Sequence, residues 1–501
     1  MHYSNRIDRH RFGGVVKYNQ SARIQTQHIG EDLRNGIARR NQGIAGRANY
    51  NWGLRYFIDF NFGYTGSENF HKDHRFGFFP AISGAWNIAG EPFMKNAKWI
   101  EMLKLRYSHG KTGNDNLGDI RFPYLYTIET MSGGGYQFGD YNYDWLLGQD
   151  GMRYSDLASP NVSWEVATKK DLGLDFNFFN GKIDGAIDYF WERRDGIYMS
   201  RNYLPWMTGV ESNPSANVGV VKVEGFDGRV AFKQKLGEVD LTVRGNMTYS
   251  KNEIVERDEE NTIYPYRLQA GHRVNQARGL IALGLFEDYD DIRNSPRQTF
   301  GEVMPGDIKY KDINGDGIID GTDVAAIGAT TRPNLTYGFG ASARWKGFNV
   351  SVHFQGVGKS TYFINGSTVY MFSTGDGWGN VLKDMASDRW ISSEISGNPA
   401  TENPNAAYPR LTYGNNSNNN RASTFWLRDG SYLRLKTLDI GYSLPKSLVN
   451  RAHINEVRIF FIGTNLLTFT NFKLWDPEMG NSTGRQYPLS KTLSLGVAVN
   501  L

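Results

Sequence analysis

The chain is organised by runs in which hydrophobic and polar residues alternate strictly. The clearest run closes the sequence, where Leu493, Leu495, Val497, Val499 and Leu501 share one parity and small or polar residues fill the other. A period of two is typical of a β-strand with one apolar face. Ending on such a face fits a transmembrane β-barrel, in which the last strand pairs with the first and removes the edge. A soluble sandwich can also end on a strand.

The same alternation predicts about fourteen strands. They cover residues 12–23, 44–52, 54–64, 76–88, 102–110, 171–178, 183–191, the stretch before Gly237, 239–249, 335–345, 348–354, 432–442, 457–467 and 492–501. Asn180-Gly181 marks a hairpin turn of type I′, and residues 91–100 a short helical connection. In 432–442 the parity slips between Leu435 and Leu438, which predicts a β-bulge.

Short turns and long connections alternate between these strands. The long connections are 114–163, 253–332 and 359–423, and the intervening joints are tight. Outer-membrane barrels have short periplasmic turns and long extracellular loops, whereas a sandwich has no reason for this asymmetry. The unbroken apolar parity of 54–64 suits a bilayer crossing of roughly 9–11 residues. We therefore predict an all-β fold, a transmembrane antiparallel β-barrel with long extracellular loops.

The composition agrees with a sheet that has one face toward lipid and one face toward water. The mean hydropathy is −0.51 although 14% of the residues are aromatic, and there are 57 glycines. The net charge of +4, without a basic run, gives no reason to expect a nucleic-acid partner. There are no cysteines, so disulfides and thiolate metal sites are excluded. The first twelve residues are polar and lack the apolar core of a signal peptide, so either the barrel interpretation is wrong or the chain lacks its natural front end.

One acidic stretch has the spacing of a calcium-binding loop. Its predicted ligands are Asp312, Asn314, Asp316, Ile318 through its carbonyl, Asp320 and Asp323. They match positions 1, 3, 5, 7, 9 and 12 of the twelve-residue loop, with Gly317 at the sharp turn. We expect a structural Ca²⁺; the alternative is a surface turn rich in Gly and Asp.

Aromatic residues are concentrated in two of the long connections. The candidates for contact with a substrate or a lid protein are Tyr124, Tyr126, Tyr136, Tyr141, Tyr143, Trp145, Trp378 and Trp390. Aromatic rings serve recognition and burial equally well, so packing of the loops against one another is an equal alternative.

Several stretches resemble the SusC/RagA family of TonB-linked outer-membrane transporters. They are QGIAGRANY (42–50), RYFIDFNFGYTGS (55–67), RFGFFPAISGAW (75–86), LKLRYSHGKTGN (103–114), DINGDG (312–317) and DGSYLRLK (429–436). The resemblance covers essentially the whole chain. It implies a barrel of about twenty-two strands around a plug, of which residues 1–501 would be the C-terminal part, with the plug and N-terminal domains absent.

The resemblance also implies a function and partners. The expected function is import of glycan or peptide fragments across the outer membrane of a Gram-negative, Bacteroidota-like cell. The expected partners are outer-membrane lipid, a SusD-like surface lipoprotein acting as a lid, TonB reached through the missing N-terminal part, and an oligosaccharide or peptide ligand. We expect no enzymatic activity.

Two alternatives remain at this stage. One is a secreted all-β binding or adhesion protein stabilised by calcium, whose strands would bury their apolar faces in a soluble core. The other is an enzyme, supported only by a match of residues 480–484 to G-x-S-x-G, in a polar loop that lacks the strand and helix which that motif requires.

Overall fold

The computed structural model describes residues 2–24, 36–118, 120–131, 151–201, 207, 213–373, 379, 381–449, 454–480 and 482–500. The side chains of residues 129–131 and 153–156 are not described.

The described chain is dominated by one antiparallel sheet of fifteen strands. In chain order these are β1 (His2–Ile7), β2 (His10–Arg23), β3 (Arg39–Trp52), β4 (Tyr56–Ser67), β5 (Phe76–Asn87), β6 (Ile100–Asn114), β7 (Glu165–Phe178), β8 (Ile183–Ser200), β9 (Ser215–Leu236), β10 (Val239–Glu256), β11 (Leu335–Trp345), β12 (Phe348–Gly358), β13 (Tyr432–Ser443), β14 (Glu456–Phe469) and β15 (Thr492–Asn500). Each strand pairs with its neighbours in sequence. Within the described residues β1 pairs only with β2 and β15 only with β14, so the sheet is open.

The predicted strand order is confirmed, with one addition. The polar segment β1 is a strand that alternation did not reveal, because neither of its faces is continuously apolar. The hairpin turns fall where they were predicted, with the left-handed φ angles that such turns need at Asn180 (58°), Gly181 (75°) and Gly347 (87°). The connection predicted as helical at 91–100 contains one short 3₁₀ turn, Pro92–Met94, which follows another at Ile88–Gly90.

Two irregular positions have simple physical causes. Pro80 lies in β5 opposite Phe62 of β4, and the pairing of β5 with β6 begins only at Ala81. A residue without an N–H is tolerated there because no ladder hydrogen bond to β6 is needed. In β13, Lys436 is skipped in the register with both neighbouring strands, which confirms the bulge predicted from the parity slip.

The sheet has an apolar outer face and a polar inner face. On the apolar parity Ile58, Ile187 and Leu495 are 54%, 49% and 80% exposed, although they are large hydrophobic residues. On the opposite parity, Arg106 Nη2 donates to Asp175 at 2.9 Å and to Asp188 at 2.8 Å across three strands. Among the described residues the apolar side of this single-layer sheet is exposed, which differs from the soluble core expected of a secreted all-β protein.

The remaining elements are short and lie in the connections. The minor strands are Thr127–Met131, Gly151–Asp156, Gln276–Gly279, Ala282–Leu285, Arg297–Gln298, Ile308–Tyr310, Ile318–Ile319, Ala325–Thr330, Thr361–Phe363 and Leu427–Asp429. In the described part of the chain, the α-helices are Tyr289–Arg293, Lys383–Ser387, Ser393–Ser396 and Lys446–Val449, and the further 3₁₀ turns are Pro265–Arg267, Gly321–Asp323, Pro399–Thr401 and Pro477–Met479. Among the described residues, no helix has the length and apolar character to cross a membrane.

Candidate functional site

Three long connections fold together into one body at one end of the sheet. We call this the loop body, and it consists of residues 257–334, 359–431 and 470–491 as far as the structure describes them. Its hydrophobic core draws residues from all three connections: Leu280, Leu285, Ile308, Tyr310, Ile319, Tyr362, Ile364, Val369, Met371, Met385, Trp390, Ala406, Tyr408, Trp426 and Phe472. These connections are therefore a packed unit and not independent surface loops.

An asparagine run joins the first two connections of the loop body. Asn418 and Asn419 are 0% and 2% exposed. Gln298 Nε2 donates to Asn418 Oδ1 at 2.7 Å, and Ile308 N donates to Asn419 Oδ1 at 2.9 Å. Because buried amides are costly unless they are hydrogen-bonded, these contacts fix the two connections in one register.

A buried ion pair reinforces the same junction. The carboxylate of Asp307 is fully buried, and Arg410 approaches it with Nε at 2.8 Å from Oδ1 and with Nη2 at 3.1 Å from Oδ2. Asn419 and Asn416 also donate to Asp307 Oδ1, at 2.8 Å and 3.2 Å. The core next to it is dry enough that burial raises the pKa of Tyr370 to about 12.

A cleft of about 530 Å³ opens beside this junction. Its wall includes Trp390, Pro305 and Leu411, and its rim carries Met304, Tyr289 and Ile395. The volume lies within the range of about 300–1,000 Å³ that is usual for ligand pockets. The carboxylates of Glu287, Asp288, Glu394 and Glu402 also line the cleft, against the cations of Arg389 and Arg410.

Of the predicted aromatic contact residues, three lie in the described part of the chain. Trp390 is 7% exposed and belongs to the loop-body core, although it also lines the cleft. Tyr124 is half-buried, donates to the Glu68 carbonyl at 3.2 Å and contacts the rings of His71 and Phe122, so it packs one connection onto another. Tyr126 is 65% exposed. The other five, Tyr136, Tyr141, Tyr143, Trp145 and Trp378, lie outside the described residues.

The predicted calcium loop has the expected backbone, but its side chains do not converge. Gly315 and Gly317 are left-handed (φ 77° and 81°), and their N–H groups donate to the two carboxylate oxygens of Asp312 at 2.7 Å and 2.9 Å. Asp323 is fully buried, and its carboxylate accepts from the N–H groups of Ile313 and Asp320.

The carboxylates of this loop fit a metal ion only in part. Within the described residues no three His, Asp or Glu side chains are grouped closely enough to hold one ion. Each carboxylate oxygen keeps a second lone pair, so these hydrogen bonds leave room for coordination. Calcium therefore stays a prediction.

The cleft and the buried junction were not predicted from the sequence. Asp307, Arg410, Met304 and Glu394 are brought together from distant segments, and no local spacing marks them. The one available signal was the run Asn415–Asn420, whose density of amides is unusual for an exposed loop. The G-x-S-x-G match lies, as expected, in the connection between β14 and β15, where Ser482 contributes its carbonyl to Asn365 N.

Comparison with known proteins identifies relatives of one kind. The chain is 29% identical over 451 residues to TonB-dependent receptor P3 of Formosa agariphila, which covers 87% of this chain and 42% of that protein. It is 26% identical over 471 residues to the TonB-dependent receptor SusC of Bacteroides thetaiotaomicron, covering 91% of this chain and 43% of SusC. No family model matches the sequence.

Solved structures agree on the fold. A chain in the structure of the RagAB peptide transporter superposes with a TM-score of 0.75 at 19% identity, covering 99% of this chain and 54% of that one. The present chain thus spans less than half the length of the curated relatives it matches. We conclude that the chain is similar in sequence to TonB-dependent receptors, SusC among them, and that its fifteen-stranded sheet has the fold of part of the wall of an outer-membrane β-barrel.

Proposed function

We propose that this chain supplies barrel wall and extracellular loops to a TonB-dependent importer of glycan or peptide fragments. The observation that carries the proposal is the pairing of a lipid-facing sheet with a loop body folded at only one end of it. The wall spans the bilayer, its polar inner face borders a wet passage, and the loop body stands over one mouth of that passage.

Transport of this kind works by gated passage and needs no bond-breaking residue in the chain. The ion pairs of the inner face, such as Arg106 with Asp188, hold neighbouring strands together while leaving the surface polar. Gly173 makes room for that pair, because a Cβ there would lie 2.1 Å from Asp188 Oδ1.

The proposed partners follow from the relatives. TonB would supply energy from the periplasm through the rest of the receptor, and a SusD-like lipoprotein would cover the loop body. Exposed apolar side chains on the loop body, among them Ile395 (83%) and Tyr487 (88%), support a covering partner.

Growth of the native host tests the import proposal. A strain that lacks the whole receptor should lose growth on a glycan or on a peptide mixture as sole nutrient, and loss of TonB should reproduce the defect. The matched comparison is a receptor without residues 359–431, which keeps all fifteen strands of the large sheet but loses one of the three connections of the loop body. Normal growth of the receptor-deletion strain on every glycan and peptide source would contradict import.

Co-purification tests the lid. An affinity-tagged receptor extracted in mild detergent should retain a lipoprotein, and the variant without 359–431 should release it. A receptor that purifies alone from outer membranes in which its import is active would refute the partnership.

We propose separately that residues 312–323 bind a structural Ca²⁺. Support comes from the spacing of the oxygen donors and from the two left-handed glycines that bend the backbone around Asp312. The ion would hold the connection between β10 and β11 in place and would take no part in chemistry.

A further inference from the structure

The outward face of the sheet ends differently at its two ends. The outward parity is the one that carries the exposed residues Ile187 and Leu495. At the turn end of β7, β8 and β9 it finishes on the register partners Phe178, Ile183 and Phe232. Near the loop end of β6, β7 and β8 the same parity carries cations. The two margins of the apolar band are therefore chemically different.

Three of these cations surround Thr168 of β7. Its register partners are Lys111 of β6 and Arg193 of β8, and Lys170 is the next residue on the same face of β7. All three cationic residues are exposed. Adjacent strands lie about 4.8 Å apart and successive residues on one face of a strand about 7 Å apart, so three long side chains can reach one shared anion. We call Lys111, Thr168, Lys170 and Arg193 the cationic patch.

The carboxylates of this chain neutralise the patch only in part. Lys111 and Lys170 form no ion pair with any residue that the structure describes. Arg193 Nε lies 2.9 Å from Asp195 Oδ1, and the planar guanidinium keeps its two terminal nitrogens for a second anion. The patch therefore carries an excess of positive charge.

The inner face at the same height shows the opposite arrangement. Lys169 Nζ lies 3.5 Å from Glu192 Oε2, and Arg194 lies 2.9 Å from Glu192 Oε1 and 3.3 Å from Glu165 Oε1. The excess of cations thus belongs to the outward face and is not a general feature of the strand ends. An anion that neutralises the patch has to come from the surroundings of the sheet.

Further along the outward face, cations and carboxylates are matched, with one exception. Glu253 Oε1 lies 3.0 Å from Lys222 Nζ, and Glu224 is the register partner of Lys251. Lys222 is also the register partner of Arg193, so two cations face each other directly across β8 and β9. Like charges in directly opposed positions destabilise a sheet. An anion bound at the patch would offset that cost.

The depth of the patch places it at the level of lipid headgroups. Arg193 lies six residues from Ile187, the middle of the outward run 183–191 of β8. A rise of about 3.4 Å per residue and a tilt near 45° put it about 14 Å from the centre of the band, just beyond the half-thickness of about 12.5 Å. Between them lie the rings of Tyr189 and Trp191, 38% and 37% exposed. The surface therefore changes from cationic through aromatic to aliphatic, as a lipid does from headgroup to acyl chain.

We propose that the cationic patch binds a phosphate group of the phosphorylated glycolipid that forms the outer leaflet of the outer membrane. Lys111, Lys170 and Arg193 donate to the phosphate oxygens, and the acyl chains lie along Leu172 and Ile187. The loop end of the wall faces that leaflet, whereas phospholipid occupies the periplasmic leaflet at the turn end. The inference goes beyond import and shares with the proposed function only the orientation of the loops.

Lipid binding to the purified, complete receptor tests the proposal. The probe is diphosphoryl lipid A, added to delipidated receptor in mild detergent, and thermophoresis of the fluorescently labelled receptor measures the dissociation constant. The controls are lipid A from which the phosphates have been removed, phosphatidylglycerol, and inorganic phosphate. Diphosphoryl lipid A should bind more tightly than all three, and raised salt should weaken its binding.

Variants then assign the binding to the patch. Lys170→Gln should weaken lipid A binding roughly 1.5- to 5-fold, the range for one exposed ion pair, and Lys170→Arg should restore it. Changing Lys111, Lys170 and Arg193 together to Gln should weaken binding roughly 10-fold. Lys169→Gln removes the same charge one residue away on the inner face and is the matched control, which should change nothing. The two single Lys170 variants decide the question even if the triple variant does not fold.

A photo-crosslinking residue identifies the occupant in the native membrane. With p-benzoylphenylalanine in place of Thr168, irradiation of intact cells should attach glycolipid to the receptor. A protein adduct at this position would show that a partner protein covers the patch, and it would contradict the inference.

Three binding results would also overturn the inference. They are equal affinity for any of the three controls, unchanged affinity in both Lys170→Gln and the triple variant, and a loss in Lys169→Gln as large as that in Lys170→Gln. A receptor that binds lipid A at the patch but imports no nutrient would instead contradict the import proposal and leave this inference intact.

Discussion

Replacing Ile187 by arginine would place a charge at the centre of the predicted lipid band. Ile187 lies in β8, four residues from Ile183 at the turn end of the strand and four residues from Trp191. Trp191 pairs with Lys170 and Glu224, and these charged residues on the same outward face mark the other limit of the apolar band. With a rise of about 3.4 Å per residue and a tilt near 45°, each interval corresponds to about 10 Å of depth. The band between these limits is therefore about 20 Å deep, a little less than the thickness of about 25 Å that is usual for outer-membrane barrels.

The expected cost follows from that depth. An arginine near the midplane of a barrel's lipid face costs about 2–4 kcal/mol, and one near the interface about 0–1 kcal/mol. Ile58 is two residues from Tyr56, which aligns with Trp52 and Trp86 in an aromatic row at the turn end. Ile58→Arg should therefore cost less than Ile187→Arg.

The matched control lies one residue away on the inner face. Ala186 has the opposite parity and pairs with Asp175 of β7, so an arginine there enters the polar interior. The assay is guanidinium unfolding of the complete receptor in phospholipid vesicles, with the free energy of unfolding compared between variants. The assignment of faces fails if Ala186→Arg destabilises as much as Ile187→Arg, and the assignment of depth fails if Ile58→Arg does.

Four further outcomes are expected. Expressed with a signal peptide but without the rest of the receptor, the chain should give no heat-modifiable, protease-resistant band, because the open sheet leaves edge N–H and C=O groups that lipid cannot satisfy; such a band would refute this. In the assembled receptor, changing Asp312 and Asp316 together to Ala, or adding a chelator, should raise the protease sensitivity of residues 253–332. If neither treatment changes the protease sensitivity, residues 312–323 form a turn that binds no calcium. Asp307→Ala should destabilise the loop body by about 3 kcal/mol, the low end for breaking a buried ion pair, because Arg410 keeps some access to water; limited proteolysis at rising denaturant measures it. Burial raises the pKa of Tyr370, so its contribution to the stability of the loop body is fully present below pH 10 and should be lost as the pH rises towards about 12; tyrosinate absorbance should show late titration, and Tyr370→Phe should reduce its amplitude by one group because other buried tyrosines also have raised pKa values.

The strands could be predicted because a sheet with one lipid face and one wet face imposes its alternation on the sequence. Residues 54–64 and 492–501 carry that alternation without a break, and the bulge at Lys436 was visible as a parity slip. β1 was not predicted from the sequence because His2–Ile7 has polar residues on both parities, and its extended conformation comes from pairing with β2.

The loop body could not be predicted in the same way. Its core joins Ile308, Trp426 and Phe472 from three connections separated by strands, and no local period records such contacts. The aromatic residues of the connections could not be divided between burial and recognition from the sequence, and Trp390 is buried in the loop-body core while it also lines the cleft. The calcium site stays a prediction from the spacing of residues 312–323, because the hydrogen bonds within this loop form without an ion and leave lone pairs for one.

The shared core of the loop body has a consequence for how receptors of this kind diversify. A change in the segment around Asn418 alters the amides that Gln298 and Ile308 require, although the two segments belong to different connections. Segments of different connections that share such contacts must therefore change together. A chimera that takes one connection from a relative should misfold outside the membrane while its barrel stays intact, whereas exchanging the connections together should transfer specificity.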